Sequence, residues 1–171
     1  RNDLIHSIRT LLREKQIFTM RAGGTSIGGQ AIGKGVLVDI SKYLTNIIDF
    51  RENKKEIVVE PGVIQDDLNF FLKPYNLKFA PDTSTSNRAM IGGMIGNNSC
   101  GSYSVFYGTT RDHVKSVEVL LSDGSLVEFK ELTEKELSHK LSLQSLEGNI
   151  YRFVVNLLSS NQQTILEAFP D

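Results

Sequence analysis

Leu4, Ile5, Ile8, Leu11 and Leu12 recur at helical spacing and predict an amphipathic helix at the start of the chain. A short apolar run at 17–22 predicts a strand, and the run VLVDI at 36–40 predicts a second, buried one. The stretch between them has no apolar period of either kind. Residues 47–50 and 57–60 read as two more strands around a charged turn, and Pro61 with Gly62 ends the second. Ile64, Leu68, Phe71 and Leu72 mark an amphipathic helix that Pro74 closes. Farther on, Val117, Val119 and Leu121 alternate with polar residues, and Asp123 with Gly124 predicts a tight turn into a strand at 126–129. Two helices complete the pattern, over 131–141 and 150–158, the latter with Phe153, Val154, Leu157 and Leu158 directed inward.

A length of 171 residues suits one ordinary domain or two small lobes with a core of their own. Nineteen Lys plus Arg against twenty Asp plus Glu leave a net charge of -1, which argues against nucleic acid or an anionic membrane as the main partner. A single cysteine excludes an internal disulfide and a multi-cysteine zinc site. The longest uncharged stretch, 89–110, carries glycines, Asn97, Asn98 and several hydroxyls, so no membrane span is predicted. The chain opens inside a helical pattern at Arg1 and ends on another without a tapering tail, and is read as a piece of a longer polypeptide.

Glycine changes the picture. Six of the 14 lie between Gly23 and Gly35 and five between Gly92 and Gly108, although ordering glycine costs backbone entropy wherever it occurs. The segment RAGGTSIGGQ, from Arg21 to Gln30, follows a strand and has no charge after Arg21. Such a loop can turn successive N–H groups toward one anion, with Thr25 and Ser26 as further donors; a flexible surface loop is the bland alternative. Two named motifs fail here. GGQAIGK at 28–34 has the spacing of a Walker A loop, but Gly35 stands where Ser or Thr must hold magnesium, and a strand rather than a helix follows. No G-x-G-x-x-G fingerprint is present either.

The second cluster lies in a stretch dense in neutral donors and acceptors: Thr83, Ser84, Thr85, Ser86, Asn87, Asn97, Asn98 and Ser99. That chemistry suits a polar heteroaromatic ring, or else a buried turn and helix packed on small residues. Taken together, the clusters suit a ligand with a diphosphate at one place and polar rings at another, as in a dinucleotide.

Residues 21–30, the segment 81–87 and IGGMIGNNSCG at 91–101, with Tyr107, Gly108, Asp112 and the hairpin ending at Phe129, resemble the FAD-binding domain of the vanillyl-alcohol oxidase (PCMH-type) flavoprotein family. Within it, the branch of bacterial D-lactate and glycolate dehydrogenases, including those fused to an iron–sulfur module, is the most similar. The resemblance implies an α+β fold, a PCMH-type FAD-binding domain of two α/β subdomains truncated at both ends. The first subdomain would occupy 1–43, lacking its opening strand, and the second 44–171, lacking a later strand and the cap domain. It implies that Gly23, Gly24, Thr25, Ser26, Gly29 and Gln30 wrap the FAD diphosphate. Pro81, Thr83 and Ser84 would lie beside the flavin, with Gly92, Gly93, Gly96, Asn97, Asn98, Ser99 and Gly101 along the cofactor.

Thr25 stands where covalent relatives often carry a histidine, and Phe79 and Ala80 stand where bicovalent ones carry a cysteine, so the resemblance implies non-covalent FAD. Cys100 is read as a small packed residue. His6 and His139 are expected on solvated helical surfaces and His113 in a structural segment; no catalytic residue and no metal ligand is assigned. The implied function is oxidation of a 2-hydroxy acid such as D-lactate or glycolate by hydride transfer to flavin, in a full-length enzyme of which this fragment alone is inactive. The implied setting is cytoplasmic or peripheral at the inner membrane face. A non-enzymatic nucleotide-binding or interaction module that keeps the fold is the alternative, because the cap that would hold substrate is not in the sequence. The enolpyruvyl-sugar reductase of cell-wall synthesis shares the fold but fits the NNSCG and STSNR registers less well.

Overall fold

Helix α1 (Asn2–Arg13) forms where the apolar stripe predicts it, with Ile8 buried and Leu4, Ile5, Leu11 and Leu12 half-buried on the same side. The computed structural model describes residues 1–169, which divide into two units, Arg1–Val114 and a second that begins at Lys115.

In the first unit, strand β1 (Phe18–Arg21) pairs in parallel with β2 (Val36–Asp39), Phe18 opposite Val36 and Arg21 opposite Asp39. Parallel neighbours need a crossover, usually helical. Here the loop 22–35 makes it with no helix of its own. The strand expected to be buried is not: Val36 is 42% and Leu37 47% exposed. These neighbours point to opposite faces of a sheet that has two strands among the described residues, so both faces are left partly open.

Strands β3 (Ile47–Arg51) and β4 (Glu56–Val59) form an antiparallel pair. Helix α2 (Gln65–Leu72) follows, then the short helices α3 (Ile91–Gly96) and α4 (Ser104–Tyr107). Val63, Leu68, Leu72, Ala89, Ile91 and Met94 make the core, and Phe50, Ile57 and Val59 of the hairpin pack on it. Burying each large side chain of this kind stabilises by about 1.5–3 kcal/mol. Phe50 also meets Phe71 edge-on, with ring centroids 5.5 Å apart, which ties the β3–β4 pair to α2.

In the second unit, β5 (Ser116–Leu120) and β6 (Leu126–Lys130) form the expected hairpin, with Gly124 at φ +82° in its turn. Helix α5 (Glu134–Ser142) starts at a capping box, Thr133 with Glu136, and α6 (Leu146–Ser160) at the Ser145 hydroxyl. Helix α7 (Gln162–Ala168) ends the described elements. Arg152 of α6 donates to the carbonyls of Leu141 and Leu143, at 2.6 and 2.7 Å, and so satisfies the C-terminal end of α5. Contrary to expectation, Phe153, Val154, Leu157 and Leu158 are 66, 44, 47 and 53% exposed. The packed side of α6 is instead the one bearing Gly148, set against Leu143, and Tyr151, whose ring lies 5.8 Å from that of Phe129.

Candidate functional site

Helix α2 holds the loop that contains Pro81 and Thr83. Gln65 is 1% exposed; its amide NH₂ donates to the Pro81 carbonyl, and its amide oxygen accepts from the Thr83 hydroxyl at 3.0 Å. One turn on, Asn69 accepts from the Phe79 N–H at 2.8 Å. The otherwise orphaned N–H groups of Gln65 and Asp66 donate to the carbonyls of Ala89 and Ser86, at 2.9 and 3.1 Å. The whole segment 79–89 is thereby fixed against one helix, with Ser84 left exposed. Sequence reasoning missed Gln65 and Asn69. Their signal is spacing: both fall on the apolar side of α2 marked by Leu68 and Leu72, where a polar residue needs a partner.

The segment 91–101 is partly occupied with its own architecture. The Gly92 N–H donates to the Pro61 carbonyl at 2.8 Å, and a Cβ at Gly92 would stand 2.5 Å from Pro61 Cβ. Gly101 packs on Asp82, and its N–H donates to the Ser104 hydroxyl at 2.9 Å. Asn98, at φ +48°, accepts from the Arg111 N–H at 2.9 Å. The Ser99 carbonyl accepts from the N–H and the hydroxyl of the fully buried Thr110, at 3.1 and 2.7 Å. Gly96 and Asn97, in contrast, are exposed, and no described residue beyond its own helix lies within 4 Å of where a Gly96 Cβ would be. Cys100 is exposed, not packed as expected. The tethers on Ser99 and Gly101 fix the backbone on either side of it and leave its side chain in solvent.

The first glycine segment meets the second one. Gly23 lies against the Arg88 carbonyl so closely that a methyl group would overlap it, and Gly93 faces Ala22, with a Cβ there 3.2 Å from the Ala22 Cβ. From Gly23 to Gly28 no backbone N–H donates to another described residue, and the half-buried Thr25 and Ser26 hydroxyls make no hydrogen bond among them. Gly24 and Gly29 have φ of +63° and +80°, values that a side chain would disfavour. Gln30 is exposed beside them. The segment is a run of spare donors ending β1, and it suits an anion of several oxygens.

The histidines stand outside this arrangement. His6 and His139 are exposed, and the His113 ring contacts the Tyr107 carbonyl at 2.7 Å and the Phe79 ring edge-on. Beside it, the Asp112 carboxylate accepts from the N–H and hydroxyl of Thr109, which holds its pKa below the usual carboxylate value. Among the described residues no group of His, Cys, Asp and Glu is arranged to hold a metal ion, and no helix is long and apolar enough to cross a membrane.

Residues 1–130 match the model of the FAD binding domain. The chain belongs to that family. This FAD binding domain is 41% identical over 155 residues to D-2-hydroxyglutarate dehydrogenase of Escherichia coli (strain K12), a match that covers 90% of this chain and 15% of that protein. It is 33% identical over 118 residues to the mitochondrial D-lactate dehydrogenase [cytochrome] 1 of Saccharomyces cerevisiae, covering 67% of this chain and 20% of that one. With glycolate oxidase subunit GlcD of Bacillus subtilis it shares 34% over 127 residues, 73% of this chain and 27% of that one. The chain thus spans about a sixth of the length of the D-2-hydroxyglutarate dehydrogenases it matches. Solved structures show the same fold: 6-hydroxy-D-nicotine oxidase from Arthrobacter nicotinovorans superposes with a TM-score of 0.67 at 20% identity, over 79% of this chain and 29% of that one. Alkyldihydroxyacetonephosphate synthase gives 0.69 at 14%, over 80% and 26%. The fold is therefore the PCMH-type α+β architecture. The residues present fit FAD: spare N–H groups for a diphosphate, glycine where backbone must turn left-handed, and neutral polar side chains for ring edges.

Proposed function

We propose that this chain is the FAD-binding portion of a flavin-dependent dehydrogenase that oxidises a 2-hydroxy acid such as D-2-hydroxyglutarate, D-lactate or glycolate. The observation that carries the reading is the unsatisfied donor run 23–28 held against the polar segments at Arg88 and Gly93, in a chain whose relatives bear those substrates in their names.

In this reading the N–H groups of Gly23, Gly24, Thr25 and Ser26, with Gly29 and Gln30, bind the diphosphate. Pro81, Thr83 and Ser84 flank the ring system, and Gln65 fixes the first two of these by its buried amide. Gly93, Gly96 and Asn97 meet the cofactor directly, while Gly92, Asn98, Ser99 and Gly101 shape the wall behind it. When bound non-covalently, FAD supplies the hydride acceptor. The protein's part is to hold the cofactor in place and to set neutral donors around its ring system. Substrate-binding groups and a C-terminal iron–sulfur module would belong to other parts of the polypeptide.

The test is anaerobic mixing of the flavin-loaded full-length protein with each of the three hydroxy acids. Bleaching of the flavin absorbance by at least one supports the proposal. Unchanged spectra with all three would remove the substrate class.

A further inference from the structure

The donor run 23–28 supplies hydrogen bonds but no formal charge, whereas a diphosphate carries negative charge that neutral N–H groups only partly offset. A cation leads directly into it. Arg21, the last residue of β1, is half-buried, and its side chain folds back over the loop it leads into. A Cβ built on Gly24 would lie 3.0 Å from both Nε and Nη2 of Arg21, so the guanidinium covers the left-handed turn at that glycine. The Arg21 side chain donates no hydrogen bond and joins no ion pair among the described residues. Its neighbour across the β1–β2 pair is Asp39, whose carboxylate accepts from the Ser41 N–H at 2.8 Å and feels the Arg21 charge without a direct ion pair to it. A guanidinium brings planar, paired donors that match two oxygens of a phosphate, and this one stands beside Gly24, whose backbone N–H also donates to no described residue.

We propose that Arg21 is a cofactor-binding residue whose guanidinium pairs with the FAD diphosphate alongside the Gly23–Gly28 N–H groups. The inference rests on the FAD reading of this loop and adds to it a charged contact. It also gives a reason for glycine at 24 beyond its φ: a side chain there would displace the guanidinium.

The experiment uses the full-length polypeptide stripped of flavin, titrated with FAD by calorimetry at two ionic strengths. R21Q is expected to weaken FAD binding about tenfold or more and to lessen the effect of salt on the affinity. R21K, which keeps the charge but loses the fork, is expected to fall between the two. Equal affinities of wild type and R21Q, with equal salt dependence, would overturn the proposal and leave the FAD reading standing. Wild-type protein that binds no FAD would overturn both. A second measurement needs no variant: FAD should shield Arg21 from modification by phenylglyoxal, read by mass spectrometry of the digested protein. Equal modification with and without FAD counts against the proposal whatever the fate of R21Q.

Discussion

Gly23 and Arg88 touch backbone to backbone: the Arg88 carbonyl oxygen occupies the space that a side chain on Gly23 would need. This contact joins the spare donors after β1 to the loop that α2 organises. Gly23→Ala should push the two segments apart, destabilising the first unit by about 1–3 kcal/mol through overpacking and weakening FAD binding with it. Thermal melting with and without FAD checks both effects. An unchanged melting temperature would mean that the contact yields without cost.

Gly96 offers the opposite experiment. No described residue beyond its own helix lies within 4 Å of its missing side chain, and it sits in α3, where alanine is the better helix former. Gly96→Ala should therefore leave stability equal or slightly raised while lowering FAD affinity, because the added methyl group stands where the cofactor is proposed to run. Unaltered affinity would take Gly96 off the cofactor surface.

Thr25→Asp tests the loop by charge. A carboxylate among donors meant for a diphosphate repels it, and the affinity for FAD should fall about tenfold or more, with the loss shrinking at high salt. Flavin content equal to wild type would argue against the assignment of this loop.

Gln65→Leu removes one buried and one half-buried hydrogen bond and leaves the Pro81 carbonyl without its donor. The expected cost is about 1–3 kcal/mol for each stranded group, and the flavin-flanking loop should become more accessible to protease. Proteolysis rates alongside melting curves distinguish a loosened loop from a general loss of stability.

The acid limb of stability should carry a contribution from Asp112. Its carboxyl is held below the ordinary 3.8 by hydrogen bonds from the Thr109 N–H and hydroxyl. A depressed carboxylate contributes stability that is present above the unfolded value and lost as pH falls through the folded one. Asp112→Asn should flatten the loss of melting temperature below about pH 4 relative to wild type. Parallel curves for the two proteins would assign the acid loss to other groups.

What the sequence made legible was local. The 116–130 hairpin follows from alternation and an Asp–Gly turn, and α2 from an apolar stripe with Pro74 after it, because these signals act within a few residues. Gln65 was not legible, since its partners lie 16 and 18 residues away and only the fold brings them to it. The stripe Phe153, Val154, Leu157, Leu158 was correctly seen as apolar but wrongly taken as buried: periodicity tells which residues share a face, not whether anything covers it. Cys100 failed for a related reason, because its outward direction is set by tethers at Thr110 and Ser104. At the site, glycine clustering marked both segments, but it did not separate glycines that admit a ligand, such as Gly96, from those that admit another stretch of backbone, such as Gly23.

Whether the parent protein holds FAD is read most directly from the absorbance of the purified full-length protein, before and after acid precipitation. The expected result is a yellow protein that releases FAD intact into the acid supernatant. A protein with no flavin absorbance, even after incubation with excess FAD, would contradict it.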